Sequence, residues 1–132
     1  MKIKTSELIG DALDWAACLA TKQNYVNRET EYSTDGRRFQ RGTTQPAGPH
    51  LSRDWSKGGP IVHQLIDCLR KRSKAEEEAL EHPNPNFKFK AEKFADTEGY
   101  FCGFGPTPLI ASMRCLVAFE LGDEVDVPEE LT

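Results

Sequence analysis

Apolar residues recur at three- and four-residue steps near the start of the chain, from about Thr5 to Thr21. The apolar positions of this segment are Leu8, Ala12, Trp15, Ala16 and Leu19. Such spacing predicts an amphipathic helix with one buried side. Trp15 is therefore expected in the core, and Asp11 and Asp14 are expected to point away from it.

The run Gly105-Pro106-Thr107-Pro108 predicts the start of a second helix. Thr107 is placed to cap it, because a threonine oxygen accepts a hydrogen bond from an unpaired N–H of the first turn. Pro108 suits the first helical position, where no intrahelical donor is lost. The apolar side of this helix comprises Leu109, Ile110, Met113, Leu116, Val117 and Leu121. Gly122 is expected to end it.

Between these helices the pattern changes to alternation. Residues 87–90 alternate as a half-buried strand does, and a turn over 96–99 leads into the aromatic segment 100–104, which predicts a hairpin. The segment from Ile61 to Glu81 has helically spaced apolar residues and a charged run, which predicts one or two solvated helices. The chain is thus expected to be a small α+β domain in which the terminal amphipathic helices pack on a short antiparallel hairpin or sheet.

Two segments of this single domain are polar. Residues 23–53 are rich in Gly, Pro, Ser, Thr and Asn and predict a long loop insertion, with a short strand at Tyr25-Val26 and Tyr32 as the only element. Residues 123–132 form an acidic tail that is expected to be solvated or to meet a basic partner. The acids of the tail are Asp123, Glu124, Asp126, Glu129 and Glu130.

Composition limits the partners. A formal net charge of −4 argues against duplex nucleic acid as a general partner, although a local basic patch stays open. No apolar stretch approaches the roughly 20 residues that span a bilayer, and the N-terminus lacks the apolar core of a signal peptide. The chain is therefore expected to stay in the cytoplasm where it is made, without a membrane partner.

The titratable residues show no catalytic pattern. The four cysteines form no C-x-x-C pair and are expected to be reduced thiols, and the three histidines stand at no ligand or triad spacing. No paired acids mark a metal or acid–base centre. We accordingly predict no catalytic residue, metal or cofactor. An enzymatic activity stays open, but a binding protein is favoured.

Two glycine-proline segments carry the candidate binding chemistry. Residues 54–62 predict either a ligand loop or a simple turn, and they lack the spacings of nucleotide-binding loops. At residues 105–107 the predicted helix start presents N–H groups that attract anions, and Arg114 follows two turns later. Aromatic rings beside these segments can stack on a planar ligand. The candidate ligand-binding residues are Trp55, Lys57, Gly58, Gly59, Pro60, Tyr100, Phe104, Gly105, Thr107 and Arg114.

Three segments carry a family resemblance. Residues 1–8 with 12–16, residues 54–61, and residues 105–115 with 121–125 resemble the NinX-type family of small proteins from lambdoid phages and prophages; MKIKTSEL, DWSKGGPI and GPTPLIASMRC are among these segments. The resemblance implies a phage accessory protein in the cytoplasm of its bacterial host, without an assigned catalytic activity. It also implies strand-like sequence after residue 62, where the residues themselves predict a helix.

Two functions are compatible with these observations. In the first, the two glycine-proline segments face each other across a pocket that holds an anionic, nucleotide-like molecule, and the protein sequesters a bacterial defence signal without catalysis. In the second, the acidic tail and the polar insertion bind a host protein as an inhibitor or adaptor. Either protein is expected to form a homo-oligomer, because small chains bury extra apolar surface by association.

Overall fold

The computed structural model describes residues 1–27, 30–42, 47–73, 88–95 and 99–132. Within these ranges the helices are α1 (Gly10–Ala20), α2 (Trp55–Leu65) and α3 (Pro108–Leu121). The strands are β1 (Lys2–Lys4), β2 (Tyr25–Val26), β3 (Thr30–Tyr32), β4 (Arg38–Gln40), β5 (Cys68–Lys71), β6 (Phe89–Ala95), β7 (Gly99–Gly105) and β8 (Glu124–Asp126). They form three antiparallel sheets, ordered β1-β8, β2-β3-β4 and β5-β6-β7. The α+β prediction is confirmed.

Helix α3 is the centre of the molecule. Every residue from Leu109 to Val117 is buried, so this helix is covered on all sides rather than on one apolar side. One face of the β5-β6-β7 sheet packs on it, and α1 packs on it as well. The sheet approaches closely because Gly103 has no side chain: a Cβ there would overlap the backbone of Ala111 and Cys115.

The acidic C-terminal segment is part of the fold. Strand β8 pairs with β1, so that Ile3 lies opposite Val125 and the two ends of the chain are joined. Val125, Val127 and Leu131 are buried, whereas the acids between them are exposed. The alternation anchors the segment and directs its carboxylates to solvent.

The polar insertion is more ordered than the sequence predicts. The expected strand at Tyr25-Val26 and Tyr32 is confirmed, and β4 completes a three-stranded sheet with it. Tyr25 and Tyr32 are buried, and the ring of Tyr32 lies 6.2 Å from that of Trp15 in an edge-on contact. The core position predicted for Trp15 is confirmed. Residues 28–29 and 43–46 lie outside the described residues.

Two predictions between residues 54 and 81 are wrong. Residues 54–62 are not a loop: the Asp54 side chain accepts a hydrogen bond from the Ser56 amide at 3.0 Å and caps α2, which runs through both glycines and Pro60. One or two helices are expected over Ile61–Glu81, but among the described residues helix ends at Leu65 and the strand β5 follows, as the family resemblance implies. Leu69 lies opposite Ala91 of β6, so sheet pairing overrides the helical pattern. The predicted hairpin is confirmed by the antiparallel pairing of β6 with β7. Residues 74–87 and 96–98, and with the latter most of the turn predicted over 96–99, lie outside the described part of the chain.

The fold separates the four cysteines into two classes. Cys18 and Cys115 are buried, and burial raises the pKa of each thiol to about 12. Cys68 is exposed and Cys102 partly exposed. Because the thiolate is the reactive form, we expect a thiol-specific reagent at about pH 8 to modify two cysteines in the native protein and all four after denaturation. Rapid reaction of a third thiol in the native protein would contradict this placement.

Candidate functional site

The structure contains a cavity of about 580 Å³ at the free edge of β7, where this strand meets α3 and the joined ends of the chain. Its volume lies in the range of small-molecule sites. The lining residues are Lys4, Thr5, Ser6, Cys102, Gly103, Phe104, Arg114, Ala118, Asp123 and Glu124. We call this space the Arg114 cavity.

Arg114 supplies a buried positive charge. The side chain is 3% exposed; its Nε donates to the Leu8 carbonyl at 2.9 Å, and its Nη1 donates to the Phe104 carbonyl at 2.8 Å. Within the described ranges no carboxylate forms an ion pair with it. Burial lowers the pKa of the guanidinium, which records the cost of removing its charge from water. A guanidinium has five N–H donors, so Arg114 retains donors for an anion.

Carboxylates also belong to the cavity lining. Glu124 stands opposite Lys4 in the β1–β8 pair, and Asp123 precedes it. Thr5 is committed to the fold: its amide donates to the Asp123 carbonyl at 2.8 Å and its hydroxyl to the Gly122 carbonyl at 2.6 Å. The cavity therefore offers both cationic donors and anionic acceptors.

The structure brings two of the predicted site residues together, because both Phe104 and Arg114 line the cavity. Helix α2 contributes no lining residue to it. The α2 members of the predicted site are Trp55, Lys57, Gly58, Gly59 and Pro60. Of these, Gly58 is buried against Leu51 and Leu109, so α2 packs directly on α3 at this point.

The other predicted site residues are not among those that line the cavity. Thr107 caps α3 as predicted, its hydroxyl oxygen accepting from the Ile110 amide at 3.2 Å. Gly105 is buried against the start of α3, and Tyr100 lies exposed on the sheet. Sequence reasoning missed the cavity residues from the chain ends, because the pairing of β1 with β8 has no local signal.

A second polar cluster surrounds Asp14, which is fully buried rather than directed outward as predicted. Its Oδ1 accepts from the Ser52 amide at 2.8 Å and the Ser52 hydroxyl at 2.5 Å, and its Oδ2 accepts from Arg53 Nη2 at 2.7 Å. These hydrogen bonds compensate the buried Asp14 carboxylate for its loss of hydration. Potential ligand atoms of Asp11, Asp14 and His50 lie within 4.8 Å of one another, but the Arg53 guanidinium bonds both carboxylates. The cluster is therefore structural.

No helix in the described part of the chain is long and apolar enough to cross a membrane.

The comparisons with known proteins identify a family. No curated protein matches the chain. The family model described as "Bacteriophage P22, NinX" matches residues 4–120, which is most of the sequence. The chain therefore belongs to the NinX family of phage proteins, as its resemblance implies.

Proposed function

We propose that this protein binds a small anionic, nucleotide-like molecule in the Arg114 cavity and holds it without chemical change. One observation carries the proposal: Arg114 is 3% exposed, lines the cavity, and has no carboxylate partner among the described residues. Arginine presents donors in a fork that matches phosphate and carboxylate oxygens. A bound anion would neutralise a charge that the fold leaves uncompensated.

The rest of the lining favours a nucleotide over a simple anion. Ala118 and the partly exposed Phe104 are apolar residues of the lining, which suits contact with a planar base. Asp123 and Glu124 present carboxylates, which accept hydrogen bonds from the amino groups of bases. We expect bases with amino groups to bind more tightly than uracil or thymine.

Membership of a phage family gives this binding a context. In the cytoplasm of a bacterial host, a protein that holds a nucleotide-derived defence signal would lower the concentration of that signal without catalysis. The alternative, a host-protein inhibitor acting through the acidic segment, has weaker support because two acids of this segment already have partners within the fold. Asp126 binds the N-terminal ammonium at 2.9 Å. Glu130 accepts a hydrogen bond from Tyr32 and forms an ion pair with Arg38 at 3.1 Å.

Calorimetric titration tests the proposal. The panel comprises nucleoside mono- and diphosphates, cyclic nucleotides and ADP-ribose derivatives, and we expect saturable binding of at least one. Arg114→Met keeps an unbranched side chain of similar length but removes the charge. It should weaken nucleotide binding by roughly 10- to 100-fold, as expected for lost charge-assisted hydrogen bonds.

Two lysines of the same strand provide a matched pair. Lys4→Gln removes a charge from the cavity lining and should weaken nucleotide binding. This variant tests the proposal even if Arg114→Met folds poorly. Lys2→Gln removes the same charge two residues away, outside the lining, and should leave binding unchanged. No heat across the panel, or equal affinity of the natural chain and the Lys4 variant, would overturn the proposal.

A further inference from the structure

A second cavity, of about 470 Å³, is lined by residues of α1, of the β2-β3-β4 sheet and of the C-terminal segment. Its volume lies within the range of small-molecule sites, and it shares no lining residue with the Arg114 cavity. The residues that carry its chemistry are Trp15, Tyr32, Arg38, Asp126, Glu129 and Glu130. We call this space the Trp15 cavity.

Trp15 brings a buried hydrogen-bond donor to this cavity. The side chain is 5% exposed, and its indole Nε1 is buried without a hydrogen-bond partner among the described residues. An indole N–H can only donate, and buried tryptophan N–H groups usually have an acceptor. Because the described part of the chain supplies no acceptor, we expect one on a bound molecule.

A guanidinium is linked to Trp15 through two other side chains of the lining. The Tyr32 ring centre lies 6.2 Å from that of Trp15, and the Tyr32 hydroxyl donates to the Glu130 carboxylate at 2.5 Å. The same carboxylate forms an ion pair with Arg38 Nε at 3.1 Å. Since a guanidinium has five N–H donors and Arg38 is 64% exposed, donors of this side chain remain available to a ligand.

The lining also has carboxylate acceptors. Glu129 is exposed, and its side chain makes no hydrogen bond or ion pair within the described ranges. Asp126 binds the N-terminal ammonium through Oδ1 at 2.9 Å, which leaves its Oδ2 as an acceptor. A simple anion would meet these carboxylates, and a simple cation would leave the Trp15 N–H without an acceptor. A zwitterion matches both parts of the lining.

From this arrangement we infer that the Trp15 cavity binds a free α-amino acid. Its carboxylate accepts hydrogen bonds from Trp15 Nε1 and Arg38, with which it forms charge-assisted bonds, and its ammonium group donates to Glu129. Since Nε1 is closed to solvent, the carboxylate reaches it when a neighbouring side chain moves, and the exposed lining residues Met1 and Arg38 can do so. This inference goes beyond the proposed nucleotide binding and rests on none of its residues.

NMR titration of the full chain with each common amino acid tests the inference. We expect the indole N–H resonance of Trp15 to shift saturably with at least one of them, because this group gains an acceptor, while that of Trp55 on α2 stays in place. Trp55→Phe removes the second indole and so assigns the two signals. The N-acetyl derivative of the bound amino acid lacks the ammonium group, and its amide derivative lacks the carboxylate. Each should bind about tenfold more weakly or worse.

Side-chain variants test the two charged contacts. Arg38→Gln and Glu129→Gln should each weaken amino acid binding about tenfold, through loss of charge-assisted hydrogen bonds. The matched control is Arg37→Gln, which removes the same charge from a neighbouring side chain that is 76% exposed and lies outside the lining, and it should leave this affinity unchanged. Arg38→Gln should also leave nucleotide titration of the Arg114 cavity unchanged, so the two proposals fail separately.

Three results would overturn the inference. They are absence of a Trp15 shift with every amino acid, equally tight binding of the N-acetyl or amide derivative, and an equal effect of Arg37→Gln. If Arg38→Gln does not fold, Glu129→Gln and the two derivatives decide the question.

Discussion

Replacing Asp14 with alanine is expected to lower the free energy of unfolding by about 3 kcal/mol. The carboxylate is fully buried and accepts hydrogen bonds from the amide and hydroxyl of Ser52 and from Arg53. Removing it leaves the buried Ser52 groups without a partner. We place the cost at the lower end of the range for broken buried ion pairs, because Arg53 is 48% exposed and can turn to water. Denaturant titration measures the difference.

Asp11 is the matched control for this prediction. It lies one turn earlier on α1, is 45% exposed, and contacts the same guanidinium at 2.9 Å. As a solvent-exposed ion pair it should contribute less than about 1 kcal/mol. Equal destabilisation by Asp11→Ala and Asp14→Ala would show that burial of the Asp14 carboxylate does not determine its contribution.

The elements that the sequence predicts correctly depend on local chemistry. Thr107 and Pro108 fix the start of α3, and the glycine at 122 lies directly after its end. The apolar spacing around Trp15 identifies α1 because side chains three and four residues apart share one side of a helix. These signals act within a few residues and need no knowledge of the rest of the chain.

Asp14 shows why other features were not predictable. Its partners Ser52 and Arg53 are 38 and 39 residues further along the chain, and a helical pattern places an isolated aspartate on the solvated side. The Arg114 cavity was not predictable for the same reason, because Lys4 and Glu124 are distant in sequence and are brought together by the pairing of the chain ends. The sequence does indicate Arg114 as a candidate, because this residue follows a recognisable helix start. Its burial depends on the sheet and on α1, which pack against the same helix.

The glycine pair in α2 leads to the second large effect. The two glycines predict a ligand loop or a turn, but Gly58 and Gly59 are consecutive residues of one helix with different surroundings. A Cβ on Gly58 would overlap the carbonyl oxygen of Leu51 and lie 2.9 Å from Leu109 Cδ2. A Cβ on Gly59 would meet only the Trp55 ring, at 3.3 Å, and that ring is 53% exposed and can move.

Alanine substitution should therefore have opposite effects at these two neighbours. Gly58→Ala must displace backbone and is expected to cost about 2–3 kcal/mol of unfolding free energy, as overpacking does. Gly59→Ala should instead stabilise by up to about 1 kcal/mol, because alanine is the better helix former. Thermal or denaturant unfolding of both variants measures the difference. If Gly58→Ala were tolerated as well as Gly59→Ala, α2 would not pack on α3 at Leu109, and the 54–61 segment would again be available as a ligand loop.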